Sequence, residues 1–153
     1  MSYQRLIEEH DEIDRLARQL ERGVEVDTPD PARAFHLLVE LSRAVSEHLS
    51  YEDRRVYSRL LAPKAPRAVG PEVDFEASFQ ALRTDWLTYL GDWNIETLAC
   101  DWTAFREETR AMMTRLRSRV RDETNLIYPL ALQQGAIRLR EQRPAIADQA
   151  AAA

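Results

Sequence analysis

Lysine is nearly missing from this chain of 153 residues: Lys64 stands alone, and arginine carries the rest of the positive charge. That bias points to no function. Cysteine is as scarce, with Cys100 the sole thiol, so no internal disulfide can form and the chain reads as cytoplasmic. Only four glycines occur, with no Gly-rich phosphate loop, and no Ser-His-Asp arrangement suggests a hydrolase. No apolar run approaches the roughly 18–20 residues that a membrane span needs. The opening "MSYQRLIEEHDEIDRL" is charged from its start, unlike a secretory leader. A net charge of −5 lacks the basic excess that nucleic-acid phosphates require. These absences leave a soluble, cytoplasmic domain that uses neither nucleic acid nor membrane.

What the chain does have is apolar residues at helical spacing. They fall in four blocks separated by turn-rich segments, and 153 residues suffice for one domain with its own core. The first stripe is Tyr3, Leu6, His10, Ile13, Ala17 and Leu20, ended by "RGVEVDTPDP". Pro31 suits the first turn of the next helix. That helix carries Leu38, Leu41, Val45, His48, Glu52 and Val56 and stops in the proline-rich "APKAPRAVGPE". Phe75, Phe79, Leu82, Trp86, Tyr89 and Trp93 mark the third. Trp102, Phe105, Met112, Leu116, Arg119, Glu123, Leu126 and Leu130 mark the fourth, which runs to Gly135. The second and fourth helices are expected to be long, roughly 30 residues or about 45 Å. The expected architecture is all-α, an up-down-up-down four-helix bundle over residues 1–135, followed by a frayed tail at 136–153.

Polar residues sit where this period points inward. His10, His48, Glu52, Arg119 and Glu123 all occupy core positions, and groups of that kind must be paired, hydrogen-bonded or bound to metal. His36 is the contrast: its neighbours at helical spacing are Glu40, Arg43 and Glu47, so it faces water. His48 and Glu52, four residues apart, project from one face and can chelate one ion. The surroundings recur: "HLSYEDRRVYSRLL" from His48 overlies "RVRDETNLIYPLAL" from Arg119. Glu52 then pairs with Glu123, Val56 with Ile127 and Tyr57 with Tyr128, while histidine is replaced by arginine at the first position.

With "IEEHDEI" around His10, "EHLSYEDRRVY" around His48 and Glu52, and "RVRDETNLIYPL" around Glu123, the chain resembles the hemerythrin-like, HHE cation-binding family over roughly residues 2–135. The resemblance implies two iron ions in the bundle centre. It also implies one histidine from the first helix, His-x-x-x-Glu from the second, one or two histidines from the third, and His-x-x-x-Glu/Asp from the fourth. Carried across, His10, His48, Glu52 and Glu123 match as metal ligands. The fourth-helix histidine falls on Arg119, and the third helix has none, its inward residue being Phe79. The resemblance thus implies that the ligands of one ion are kept and those of the other lost, with Arg119 forking onto Glu52 or Glu123 in place of the missing cation.

Two glutamates and Arg119 leave the pocket at −1. One divalent ion with a hydroxide, or one protonated imidazole without metal, neutralises it. Two imidazoles and two carboxylates suit iron, zinc or manganese. Three functions stay open: a metal-binding or sensing domain with a mononuclear or vacant site, whose ligand would be a metal ion or a small diatomic molecule; a metal-free structural or protein-interaction bundle, in which a protein partner or homodimer uses the surface; and an oxygen- or peroxide-consuming iron enzyme, which needs an open coordination position.

Other features have ordinary readings. Trp86, Tyr89, Trp93, Trp102 and Phe105 are expected to pack the core. Tyr57 and Tyr128 are expected to pack rather than to bond across the bundle. Cys100, beside Asp101, lacks the environment of a reactive thiol. Arg110, Arg115, Arg117 and Arg121, interleaved with acids, are expected to form a salt-bridged outer face.

Overall fold

Ser2 opens the first helix by accepting a hydrogen bond from the Arg5 amide, the side-chain cap that an orphan amide at a helix start needs. The structure is a computed structural model and describes residues 2–52, 56 and 71–140, with the backbone alone at 71–74. Tyr57, most of the expected second turn region and the tail beyond residue 140 lie outside the described residues. Helix α1 runs Tyr3–Val24, α2 Pro31–Glu52, α3 Pro71–Asp92, α4 Ile95–Cys100 and α5 Trp102–Asp122. A π-helical turn, Glu123–Ile127, joins α5 directly to α6, Tyr128–Gln133. Among the described residues there is no strand; Ser2 and Arg138 form an isolated bridge.

Local chemistry explains these limits. Pro31 occupies the first turn of α2 as expected, with Asp30 accepting from the Arg33 amide. Asn94 and Thr97 form a reciprocal capping box at α4, a short helix that the hydrophobic period does not announce. Asp101 caps α5 by accepting from Ala104 N–H. Gly135 sits at φ 72°, and Ala136 N–H reaches back to Ala131 C=O at 2.8 Å. That is the left-handed ending for which glycine is preferred.

Four long helical rods thus form an all-α bundle, with α1 packed against both α2 and α5. The apolar stripes meet inside it: Leu6, Leu20, Leu41, Phe79, Trp86 and Phe105 are all fully buried. Beyond Gly135, Ala136 and Ile137 are buried too, and Tyr3 N–H bonds Arg138 C=O. The aromatic group packs as core, with edge-to-face Trp93–Phe105 contact and Tyr89 bonded to Thr109 at 2.7 Å.

The fourth stripe needs a correction past Glu123. The expected inward Leu126 is 55% exposed, whereas Ile127 and Tyr128 are buried. The π-turn is the cause. Its wider ring inserts one extra residue, and one residue is about 100° of helical rotation. The outer arginines are salt-bridged as expected, with partners on other helices: Arg110 to Glu25 on the α1 cap, Arg115 to Asp85 on α3, and Arg117 to Glu21 on α1.

Candidate metal centre

Each expected inward polar residue is buried: His10, His48, Glu52, Arg119 and Glu123 are at most 6% exposed. His36, by contrast, has its side chain 71% exposed, beside Glu40. The helical period alone put His10 on α1, His48 and Glu52 on α2, and Arg119 and Glu123 at the α5 end in this arrangement.

The imidazoles turn the same nitrogen inward. His10 Nε2 lies 3.1 Å from His48 Nε2 and 2.9 Å from Glu123 Oε2. His48 Nε2 is 3.4 Å from Glu123 Oε2 and 3.4 Å from Glu52 Oε2. Ligand-type atoms of His10, His48, Glu52 and Glu123 lie within 4.8 Å of one another. The outward nitrogens are engaged elsewhere: His48 Nδ1 is 2.8 Å from Glu9 Oε2, and His10 Nδ1 is 3.1 Å from Thr124 Oγ1.

Tyr128, expected to pack, is a member of the cluster. Its hydroxyl donates to Glu52 Oε1 at 2.6 Å and lies 2.9 Å from His10 Nε2 and 3.1 Å from Glu123 Oε2. Its ring also stacks on His10. The π-turn puts it there. A residue five positions on bonds back to its start, Tyr128 N–H to Glu123 C=O, so the two side chains share a face. Thr124 and Glu9 were missed as well, since both lie one residue off the inward stripe. The Tyr57/Tyr128 correspondence between the repeats was the available signal for the phenol.

Arg119 points inward, as required. Its Nε donates to Glu123 Oε1 at 2.6 Å and a terminal nitrogen to Phe75 C=O at 3.1 Å. The guanidinium carbon sits 5.5 Å from the ring centres of both Phe75 and Phe79, within cation–π range. The position equivalent to the second histidine is therefore filled by a cation tied to Glu123.

Burial and neighbours divide the two glutamates. Glu52 is pushed well above the usual carboxylate range, by burial first and then by the charge of Glu123. Burial would raise Glu123 too, but hydrogen bonds from His10 and His48 outweigh it and hold Glu123 well below that range. Burial opposes charge on His48, yet the charge of Glu52 and the hydrogen bonds of Glu123 and Glu9 prevail, raising it to about 10. Tyr128 is pushed well up, by burial and then by Glu123 and Glu52.

Hydrogen-bond inventory tests whether a cation fits. Glu52 Oε2 is buried and has no hydrogen-bond partner, a situation that costs the desolvation of that group. Two imidazole Nε2 atoms and carboxylate oxygens of both glutamates converge, and without their protons all four can face one ion. That donor set matches one divalent cation. It does not fit two: among the described residues, the second position offers Arg119 and Phe79 and no further histidine.

Comparison with known proteins agrees with the architecture. No curated protein and no solved structure matches the chain. The model of the Hemerythrin HHE cation binding domain matches residues 1–131, a span holding all four candidate ligands. On that match, the chain belongs to the hemerythrin HHE cation-binding family.

Proposed function

We propose that the bundle is a cytoplasmic metal-binding or sensing domain that holds one divalent cation on His10, His48, Glu52 and Glu123. Arg119 permanently supplies charge that a second ion would otherwise bring. The observation that carries this reading is the buried Glu52 Oε2, which no hydrogen bond satisfies and which lies 3.4 Å from His48 Nε2, beside His10 Nε2 and Glu123. When bound, the cation would supply Lewis acidity or, if iron, redox chemistry. The chain's own residues do the rest. Tyr128 holds Glu52 by its other oxygen, Thr124 and Glu9 hold the two rings, and Arg119 holds Glu123 by Oε1. A small diatomic molecule or the metal itself is the signal such a site would take, and a protein partner or second copy would read it.

A second reading is favoured by a different observation. Tyr128, both histidines, both glutamates and Arg119 already form a connected polar network. With Glu52 neutral, the Arg119–Glu123 pair and a protonated His48 paired with Glu9 would balance that network without metal, leaving a structural or interaction bundle.

Elemental analysis of protein purified without a metal-binding tag, before and after reconstitution with iron(II), zinc or manganese, decides between them. About one equivalent is expected. None after reconstitution leaves the structural reading; two equivalents overturn the role given to Arg119. Visible absorption on iron loading that bleaches on reduction would instead favour an oxygen- or peroxide-consuming enzyme.

A further inference from the structure

Glu9 precedes His10 on α1 but faces α2, at the edge of the cluster with its side chain a quarter exposed. Its carboxylate is held on both sides. Oε2 faces His48 Nδ1 at 2.8 Å, and Oε1 accepts from Arg5 Nε at 3.0 Å. The Arg5 guanidinium in turn lies 4.3 Å over the Tyr51 ring on α2. Beside these groups a cleft of about 840 Å³ opens between the two helices.

We infer that Glu9 is a positioning residue for the cation site: by engaging His48 Nδ1–H from the neighbouring helix, it keeps His48 Nε2 turned to the bundle centre. The inference rests on the cation reading above. Consecutive residues of α1 thereby serve one site in two ways, His10 from inside and Glu9 from behind the facing histidine. An imidazole carries carbons between and beside its two nitrogens, and a half-turn about its stem would put a ring carbon where Nε2 faces the cluster. Only an acceptor fixed outside the cluster makes the inward atom unique. A water from the adjoining cleft is a poorer substitute, since it is neither anchored by Arg5 nor charged. Partners of this kind behind a ligating histidine change metal affinity by about 10–100-fold when removed.

Zinc titrations of the full chain, with His48 followed by nitrogen-15 and proton NMR, provide the test. Glu9→Ala should weaken zinc binding by about 10–100-fold. It should also remove the hydrogen-bonded His48 Nδ1–H resonance that the parent protein shows. Glu9→Gln, whose amide oxygen can still accept from Nδ1–H, should recover the resonance and most of the affinity. A purely structural loss would give no such recovery. Parental affinity together with an intact Nδ1–H resonance in Glu9→Ala overturns the inference. If the parent protein takes up no zinc, the cation reading falls instead, and the Nδ1–H resonance in the metal-free protein still decides for or against Glu9.

Discussion

Arg119 is a guanidinium buried in a bundle core, and it has company there. It donates to Glu123 while two phenylalanine rings cover it. Removing one partner of such a pair leaves an uncompensated buried charge, which costs about 3–5 kcal/mol. Arg119→Ala is therefore expected to lower metal-free stability by about that much, measured by urea unfolding. It also frees Glu123 Oε1, so added zinc should restore more stability in the variant than in the parent. Unchanged stability and unchanged metal content in Arg119→Ala would remove the case for its substitute-cation role. The inward placement of Arg119, His10, His48, Glu52 and Glu123 was legible from the 3.6-residue period, because each shares a stripe with leucines and valines whose burial is not in doubt. Glu9 and Thr124 were not legible, since side chains one residue off the stripe reach the site only by the angle at which α1, α2 and the π-turn cross.

At the scale of the element, the π-turn after Glu123 is the decisive feature. Through α5, periodicity assigns the inward residues correctly. After Glu123 the extra residue rotates the register, so Leu126 turns to solvent while Ile127 and Tyr128 turn in. Substitutions separate the two registers. Ile127→Ala should cost about 2–5 kcal/mol, as buried isoleucine truncations do. Leu126→Ser should stay within about 0.5 kcal/mol, as exposed substitutions do. Thermal or urea melts giving the reverse order would show that α5 continues as a regular helix, with Leu126 inside and Tyr128 outside the cluster. No local signal announces this widened turn. Its backbone differs from a regular helix by one residue per turn, and the reward for adopting it is the bonding of Tyr128 to residues from other helices.

Across the whole molecule, no described helix is long and apolar enough to cross a membrane, and the polar cluster is the main departure from an apolar interior. Protonation couples that cluster to pH. His48 is raised from 6.5 to about 10, so its stabilising contribution is fully present below pH 6.5 and is lost as pH rises through about 10. Glu52, also raised, acts in the same direction from 4.5 upward, whereas the contribution of lowered Glu123 is present above 4.5 and lost on acidification. Metal-free protein should accordingly melt at progressively lower temperature from neutral to alkaline pH. A bound cation requires His48 Nε2 and Glu52 without their protons, so zinc should flatten this dependence and release about two protons per ion into a weakly buffered solution. Melting curves with and without zinc, and a dye-followed titration, check both. A metal-free melting temperature that does not fall with pH would show that His48 is neutral in the folded protein.

The sequence by itself determined the four amphipathic rods, the residues lining their inner faces, and the fact that five of those residues are ionisable. Periodicity and turn chemistry act over a few neighbours and leave their mark in a linear string. Only the tertiary structure decided that the two histidines present Nε2 rather than Nδ1, that Glu52 keeps one oxygen without a hydrogen bond, and that Tyr128 joins the cluster. Each of these depends on atoms separated by 38 residues or more along the chain. Their meeting is set by how the helices pack, which no local pattern encodes.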